Sequence, residues 1–277
     1  MKRLIILLAI PLLLQSCSSM YIPAVRSIPL LEKKGEFQGE AGVSTNSVYL
    51  NGSYAFTNDI AASINGNMSY RNFTDYYDVF THKNDTYNGG GFFDMPDFRG
   101  KFAHRYGEIS VGKINMLPSR TPKLEMFGGA GMGRATDTEI DFPENQSYYI
   151  SSFTSDYKCN YYSFFGQVNL GLKKRVVETG VSMRFAYSIF NYNADLYNQS
   201  EVFSYQNTFN VFHVEPMGFT RIGSENLKVV FRYGIHLALT IPPIEEDTGL
   251  RGFDDYGRLD YTIFHFSVGL SYRIAGK

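Results

Sequence analysis

The sequence has no tryptophan, only two cysteines and no excess of charge of either sign. Its 26 Lys and Arg residues are balanced by 27 Asp and Glu residues, so the net charge is −1 over 277 residues. A nucleic-acid partner requires a basic face that displaces counterions from phosphates, so nucleic acid is excluded as a partner. The cysteines, Cys17 and Cys159, provide no disulfide framework, and Cys159 stays without an assigned role.

The sequence also lacks an apolar run long enough to cross a bilayer as a helix, which needs about 20 apolar residues. Its one long apolar stretch, Leu4–Leu14, is much shorter than that and follows Lys2 and Arg3. A short apolar stretch behind a positively charged start is typical of a signal peptide, which we assign to residues 1–16.

Aromatic residues and glycine are abundant instead, with 21 Tyr, 23 Phe and 26 Gly. This composition favours twisted β-sheet over helix. Beyond residue 35, apolar and polar residues alternate along stretches of about ten residues, which is the period of a strand. The clearest example is Phe264–Ile274, where Phe, Val, Leu, Tyr and Ile fall on one face. The pattern predicts ten strands, with eight or twelve as alternatives.

The connections between the predicted strands alternate between short turns and long polar loops. The long loops are predicted at residues 72–104, 134–160, 191–207 and 242–260. Short turns at one end and long loops at the other are typical of a transmembrane β-barrel, whose periplasmic turns are short. The sequence therefore predicts an all-β, antiparallel, up-and-down transmembrane barrel over residues 36–277, with both ends of the barrel domain on the short-turn side.

A soluble sandwich or lipocalin-like barrel shows the same alternation and is the alternative fold. The polar face of the predicted strands favours the membrane barrel, because its opposed charges suit a cross-linked lumen. Strand-end aromatics such as Tyr54 and Tyr272 fit the interfacial girdles of such a barrel. The residues predicted to form the lumen network are Glu108, Glu125, Glu178, Arg184, Glu215, Arg232, His236, His265 and Arg273.

Two segments resemble the outer-membrane barrel lipoproteins of Gram-negative bacteria, and in particular the small barrels of the Bacteroidota. Leu-Gln-Ser-Cys, ending at Cys17, resembles a lipobox, which implies cleavage before Cys17 and its acylation, for example with palmitate. The second segment resembles the C-terminal signal that the barrel assembly machinery reads. It comprises Ser267 followed by Gly269, Tyr272 and Ile274. In this sequence Ala-Gly-Lys follows Ile274, whereas many members of the family end at the signal itself.

The resemblance implies an outer-membrane protein in contact with membrane lipids and lipopolysaccharide. It implies a lipid anchor on the periplasmic side, joined to the barrel by a tether at residues 17–35. The tether either only links lipid to barrel or also docks into the lumen, and both possibilities stay open.

One pair of residues resembles a catalytic motif. His265 and Ser267 resemble the His-x-Ser pair of outer-membrane lipid A deacylases, in which histidine activates serine for acyl transfer. Alternation places both residues on the polar face, away from lipid, and Val268 replaces the asparagine usual in that family. A role in the lumen network is therefore the favoured interpretation.

Histidine and carboxylate residues also raise the possibility of a metal site. His213 and Glu215, together with His236 or His265, are ligand types that suit zinc. Histidine and carboxylate residues often lie at neighbouring strand positions without binding a metal. A salt-bridged lumen accounts for the same residues. We therefore predict no metal and no cofactor.

The glycine-rich run Gly128–Gly133 lacks the lysine and serine of a phosphate-binding loop and lies within a strand pattern. We expect these glycines to permit barrel curvature or to leave space for facing Tyr and Phe rings.

These patterns predict a non-enzymatic outer-membrane barrel lipoprotein with a structural or binding role. Its long loops are expected to contact a surface ligand or a neighbouring membrane protein, neither of which the sequence identifies. Two alternatives remain: a lipid A deacylase-like enzyme centred on His265 and Ser267, and a narrow solute channel.

Overall fold

The computed structural model describes residues 21–22, 24–45, 47–69, 99–117, 122–141, 153–198, 201–239 and 264–276. Within these residues the chain forms eleven strand segments and no helix long and apolar enough to cross a membrane. The strands are β1 Phe37–Ser44, β2 Ser47–Ala55, β3 Ile60–Ser69, β4 Arg99–Lys113, β5 Lys123–Asp141, β6 Phe153–Lys173, β7 Val177–Asn198, β8 Glu201–Gly223, β9 Leu227–Ile235, β10 Leu237–Ala238 and β11 Phe264–Ile274.

The strands close into a barrel. Each strand from β1 to β8 pairs antiparallel with the next, β9 pairs with β11, and β11 pairs with β1. The short segment β10 follows β9 and also pairs with β8, so β9 and β10 count as one barrel strand. The prediction of a ten-stranded, antiparallel, up-and-down barrel is confirmed. Pairing of β11 with β1 and β9 closes the lower part of the sheet on itself, which a sheet in a bilayer requires because lipid cannot bind free backbone groups.

The two faces of the barrel wall are opposite in polarity. Outward side chains are apolar and exposed, as at Leu50 and Ile109, which are 68% and 67% exposed. Inward side chains on the same strands are buried and largely polar, as at Asn51 and Glu108. A soluble barrel hides its apolar face inside, so this arrangement is that of a barrel surrounded by lipid.

Two of the predicted long loops are wrong over most of their length. Strand β5 continues to Asp141 and β6 begins at Phe153, within the predicted loop 134–160. Strands β7 and β8 run through the predicted loop 191–207, apart from residues 199–200. In the described parts of these extensions the polarity of the two faces reverses: inward residues such as Cys159 and Phe190 are buried and apolar, and outward residues such as Asn160 are polar, so the pattern of the lower barrel does not continue. The predicted loops 72–104 and 242–260 lie outside the described residues, except that residues 99–104 begin β4.

The strand lengths make the barrel lopsided. Strands β5 to β8 are 19 to 23 residues long, whereas β1, β2 and β3 are 8 to 10 residues long. All strands begin or end at the common short-turn rim, where residues 174–176 and 224–226 form turns. The long strands therefore project on one side at the opposite end, which we call the long-strand mouth.

Glycines in β5 make room for aromatic rings that lie inside the wall. A Cβ atom added to Gly133 would collide with the ring of Tyr161, and one added to Gly131 would collide with that of Tyr106. At Gly129 it would lie 2.6 Å from Cζ of Phe165. This confirms that the glycine run leaves space for facing Tyr and Phe rings.

We expect Gly133→Ala to destabilise the barrel by about 1 to 3 kcal/mol, because the new methyl group overpacks the Tyr161 ring. The measurement is urea unfolding of the detergent-solubilised barrel, followed by its heat-modifiable mobility on a gel. Gly166→Ala is the matched control, since a Cβ there meets nothing within 4 Å. Equal midpoints for the two variants would show that the ring clearance at Gly133 is unimportant.

Candidate functional site in the filled lumen

The lumen is filled by the chain's own N-terminal segment, which we define as residues 21–35. Almost all of its described side chains from Tyr21 to Leu31 are buried, and Ile28 and Leu30 are completely so. Leu31 packs with Ile114 and Phe127 of the wall. Residues 21–35 therefore dock inside the barrel, which resolves the choice between a simple tether and a docked segment.

Barrel side chains hydrogen-bond directly to the backbone of this segment. Its extended backbone makes few hydrogen bonds of its own, so the wall supplies partners for its buried polar groups. The bonds to backbone oxygens run from Gln167 Nε2 to Ser27 at 2.9 Å, Arg221 Nη2 to Ile28 at 2.6 Å, Arg273 Nη2 to Pro29 at 2.9 Å and Lys173 Nζ to Leu30 at 3.3 Å. In the other direction, the Leu31 amide donates to Glu125 Oε1 at 2.9 Å.

The segment runs lengthwise through the barrel. Along β6 its contacts move from Lys173 at the short-turn rim, through Gln167, to Tyr161. Along β8 they move from Arg221 to His213 in the same direction. The C-terminal end of the segment therefore leads into β1 at the short-turn rim, and its N-terminal end lies toward the long-strand mouth.

At the short-turn rim the segment is held by ion pairs. Glu32 lies 3.3 Å from Lys123 Nζ and 3.4 Å from Lys173 Nζ, and Lys173 also pairs with Glu36 at 3.1 Å. Burial by itself would raise the pKa of Glu32, but Lys173 and then Lys123 more than offset it, so the pKa lies below its ordinary value. These contacts stabilise the folded chain above the ordinary carboxyl pKa and are lost as the pH falls through the lowered value.

The middle of the lumen contains a carboxylate with several donors. Glu108 accepts two hydrogen bonds from Arg184, at 2.7 and 2.8 Å, in the bidentate geometry that gives strong pairs. Tyr106 and Asn65 donate to the same carboxylate at 2.8 and 2.6 Å. Arg184 also donates to Gln167, so wall residues from four strands meet at this point.

A second network lies nearer the short-turn rim. Glu178 pairs with Arg221 at 3.2 Å and with Arg273 at 2.8 Å. Glu40 pairs with Arg221 at 3.5 Å and also with Arg232. Both carboxylates are thus shared between two arginines, and two of these arginines also hold the N-terminal segment.

A third cluster, which we call the histidine cluster, lies about halfway along β8, on the side of the other two networks that faces the long-strand mouth, and comprises Tyr21, Arg26, His213, Glu215 and His236. Two ring nitrogens, His236 Nε2 and His213 Nδ1, are 2.8 Å apart. The Tyr21 ring stacks on His213 with centroids 4.7 Å apart, and its hydroxyl donates to Glu215 at 2.9 Å. Arg26 pairs with Glu215 at 3.5 Å. All five side chains are buried.

The candidate catalytic pair lies in the lumen. His265 and Ser267 are 6% and 1% exposed and point inward from β11. The structure gives no hydrogen bond between them, and His265 Nε2 and Ser267 Oγ have no partner among the described residues. A deacylase acting on membrane lipid needs these atoms on the lipid face, which the structure does not provide.

The residues predicted to form the assembly signal, and the two cysteines, lie apart from the three lumen networks or outside the described residues. Tyr272 and Ile274 face outward from β11 and are half exposed, whereas Gly269 pairs with Gly42 of β1 at the barrel seam. Cys159 is buried in an aromatic cluster with Tyr161 and Phe190. Cys17 lies outside the described residues. Among the described residues, no group of three or more His, Cys, Asp or Glu residues is arranged to hold a metal.

Several lumen residues were missed by sequence analysis. Arg221 lies close to the rim end of β8, and Glu40 lies on a strand with weak alternation. Tyr21 and Arg26 precede the barrel and carry no strand pattern. Beyond Gly218 the two inward residues differ in polarity, since Phe219 is apolar and Arg221 is charged, so apolar–polar alternation does not reveal Arg221.

Comparison with solved structures supports the fold. The chain is similar to the crystal structure of the outer membrane protease OmpT from Escherichia coli, with 13% identity, a TM-score of 0.56, and coverage of 87% of this chain and 93% of that one. It also matches the outer-membrane expressed OmpT of Vibrio cholerae at 11% identity and a TM-score of 0.19, over 88% of this chain and 100% of that one. No family model and no curated protein matches the chain.

The similarity to OmpT of Escherichia coli contradicts one expectation. We expected the chain not to be an enzyme, yet an outer membrane protease has the same kind of barrel. At 13% identity the likeness shows the fold alone. The expected absence of enzymatic activity is therefore withdrawn.

We expect Arg184→Met to destabilise the barrel by about 3 to 5 kcal/mol, because it leaves the buried Glu108 carboxylate without its charged partner. Urea unfolding in detergent measures the change. Arg175→Met is the matched control, because Arg175 forms an exposed pair with Glu225 at 4.0 Å, and such pairs contribute little. A loss no larger than that of the control would contradict the structural importance of the Arg184–Glu108 pair.

Replacing residues 24–31 with a glycine–serine linker of equal length should open an ion-conducting path, because the side chains that fill the lumen are removed. Single-channel recording in planar bilayers compares this variant with the unaltered chain, after both show heat-modifiable mobility. We expect steady conductance from the variant alone. Conductance of the unaltered chain would show that the segment does not close the lumen.

Proposed function

We propose that the protein is an outer-membrane barrel hydrolase that acts on an extended polypeptide at the long-strand mouth. The observation that carries the proposal is the hydrogen-bonded pair of His213 and His236, with Glu215 two residues along β8 on the same face. Paired imidazoles beside a carboxylate suit general acid–base chemistry, in which one ring exchanges protons and the other groups orient it.

The substrate class follows from what the lumen holds in the structure. Its walls bind an extended polypeptide through donors to successive backbone oxygens, from Ser27 to Leu30. The outer end of that polypeptide, at Tyr21, lies against His213 and His236. The protease activity in the name of the similar barrel from Escherichia coli agrees with a peptide substrate.

The proposed reaction uses water as the nucleophile. His213 accepts a proton from a water molecule while the hydroxide attacks the peptide carbonyl carbon. The C–N bond then breaks, and the proton passes to the departing amine, so the products are a carboxylic acid and an amine. Glu215 stabilises the positive charge that develops on the histidine pair.

Tyr21 closes this site in the structure, because it stacks on His213 and contacts His236 at a centroid distance of 4.9 Å. The proposal therefore requires the Tyr21 end of the segment to move when substrate binds. The segment would occupy the site in the resting state and leave it in the active state.

The membrane setting forms a second part of the proposal. The exposed apolar band fits outer-membrane lipids and lipopolysaccharide as neighbours, and the β11 motif fits recognition by the barrel assembly machinery. The lipobox supports acylation of Cys17 and a lipoprotein barrel of the Bacteroidota type. Intact mass spectrometry of the purified protein tests the acylation directly.

The test of the hydrolase proposal is cleavage of a quenched fluorescent peptide library by the purified barrel in detergent with lipopolysaccharide. We expect His213→Ala and His236→Ala to lower the rate by about 100-fold or more, the loss typical of a general base. Tyr21→Phe should raise the rate, because it removes the hydrogen bond that holds the cover to Glu215.

His265→Ala and Ser267→Ala are the matched controls, since both residues are buried in the lumen outside the histidine pair. Each variant must first show heat-modifiable mobility. If neither the unaltered chain nor Tyr21→Phe cleaves any peptide, the proposal fails and binding of a surface ligand or membrane neighbour becomes the question. Altered lipid A in cells expressing the unaltered chain but not Ser267→Ala would instead establish the lipid-modifying alternative.

A further inference from the structure

The position of Tyr21 bears on where the lipid of the proposed lipoprotein lies. The resemblance to outer-membrane lipoproteins implies periplasmic anchoring, and the position of both ends of the barrel domain at the short-turn rim agrees with it. The N-terminal segment, however, runs away from that rim through the lumen, and its described end contacts residues far along β6 and β8.

The depth of Tyr21 can be measured along the wall. Its neighbour Tyr161 is twelve residues from Lys173 at the rim end of β6, and its neighbour His213 is ten residues from Gly223 at the rim end of β8. At about 3.3 Å per residue and a tilt of about 40°, these separations place Tyr21 about 25 to 30 Å from the rim along the barrel axis.

That depth equals or exceeds the apolar band of an outer-membrane barrel, which is about 25 Å tall. The outward side chains at the depth of Tyr21 also indicate that the apolar band ends there. Tyr162, next to Tyr161, is 50% exposed, and Tyr187 lies two residues nearer the rim on the neighbouring strand and is 43% exposed. Exposed tyrosines of this kind mark the interface between lipid and water. Tyr21 therefore lies near the outer interface.

Covalent geometry then limits where Cys17 can be. Four residues separate it from Tyr21, and a fully extended chain of that length spans about 14 Å at most. The short-turn rim is about twice as far away. The lumen between Tyr21 and that rim is already occupied by residues 24–35, whose side chains are mostly buried. No path of four residues returns Cys17 to the periplasmic side.

We infer that the chain before Tyr21 leaves the barrel at the long-strand mouth, so that an acyl group on Cys17 is carried at the cell-surface face of the outer membrane. The position of the acyl group rests on the proposed acylation of Cys17. The exit of the chain at the long-strand mouth does not depend on that acylation. The acyl chains find their apolar surroundings in the outer leaflet, beside the mouth. The anchor is then on the opposite side of the membrane from the one that the lipobox resemblance implied.

The test is labelling of single cysteines on intact cells with a maleimide on a polymer too large to cross the outer membrane. Ser19→Cys reports the chain before Tyr21. Val202→Cys, 60% exposed near the far end of β8, is the positive control, and Glu225→Cys, in an exposed turn at the short-turn rim, is the negative control. The buried Cys159 is present in every variant.

We expect Ser19→Cys to shift on a gel as completely as Val202→Cys, and Glu225→Cys to shift only after the membrane is permeabilised. Labelling of Ser19→Cys only after permeabilisation would overturn the inferred exit. The unaltered chain should not shift on intact cells, because acylation blocks the Cys17 thiol, and a shift there would overturn the acylation while leaving the exit intact. Heat-modifiable mobility is required of every variant, and neither result depends on hydrolase activity.

Discussion

Satisfaction of buried polar groups inside a lipid-surrounded wall is the constraint on which the rest of this structure depends. The wall must turn apolar side chains outward, so its charged residues face inward, where each needs a partner. The N-terminal segment has the complementary need, because its backbone is extended and buried. Arg221 and Arg273 meet both needs together, since each pairs with a carboxylate of the wall and donates to a backbone oxygen of the segment.

This mutual dependence explains why the lumen is filled by the chain's own N-terminal segment. The segment fills the middle of the barrel, and its first described residue, Tyr21, lies in the histidine cluster. The proposed hydrolysis requires Tyr21 to move before a substrate can reach His213 and His236. The cluster is buried by Tyr21 together with the aromatic residues that pack beside it, Tyr161 and Phe190.

The barrel itself could be predicted from the sequence because lipid and lumen impose opposite polarity on alternate residues. That signal is strong in Phe264–Ile274 and is lost in the upper parts of β6 and β7, where the inward residues are buried and aromatic and the outward residues are polar. The docking of the N-terminal segment could not be predicted, because an extended chain has no period and its partners are distant in sequence. The pairing of Arg184 with Glu108 joins β7 to β4, so it depends on register and closure that composition does not reveal.

The order of synthesis gives the filled lumen a consequence for folding. The bond from Arg273 to the Pro29 carbonyl oxygen joins residues 244 positions apart, and Arg273 lies on β11, which is made after the other described strands. The segment is made first, yet its binding site is incomplete until β11 pairs with β1. Contacts of such long sequence separation form slowly because the loop between them must be closed first. Capture of the segment and closure of the seam are therefore coupled steps, and an open barrel cannot retain its own N-terminus as firmly as a closed one.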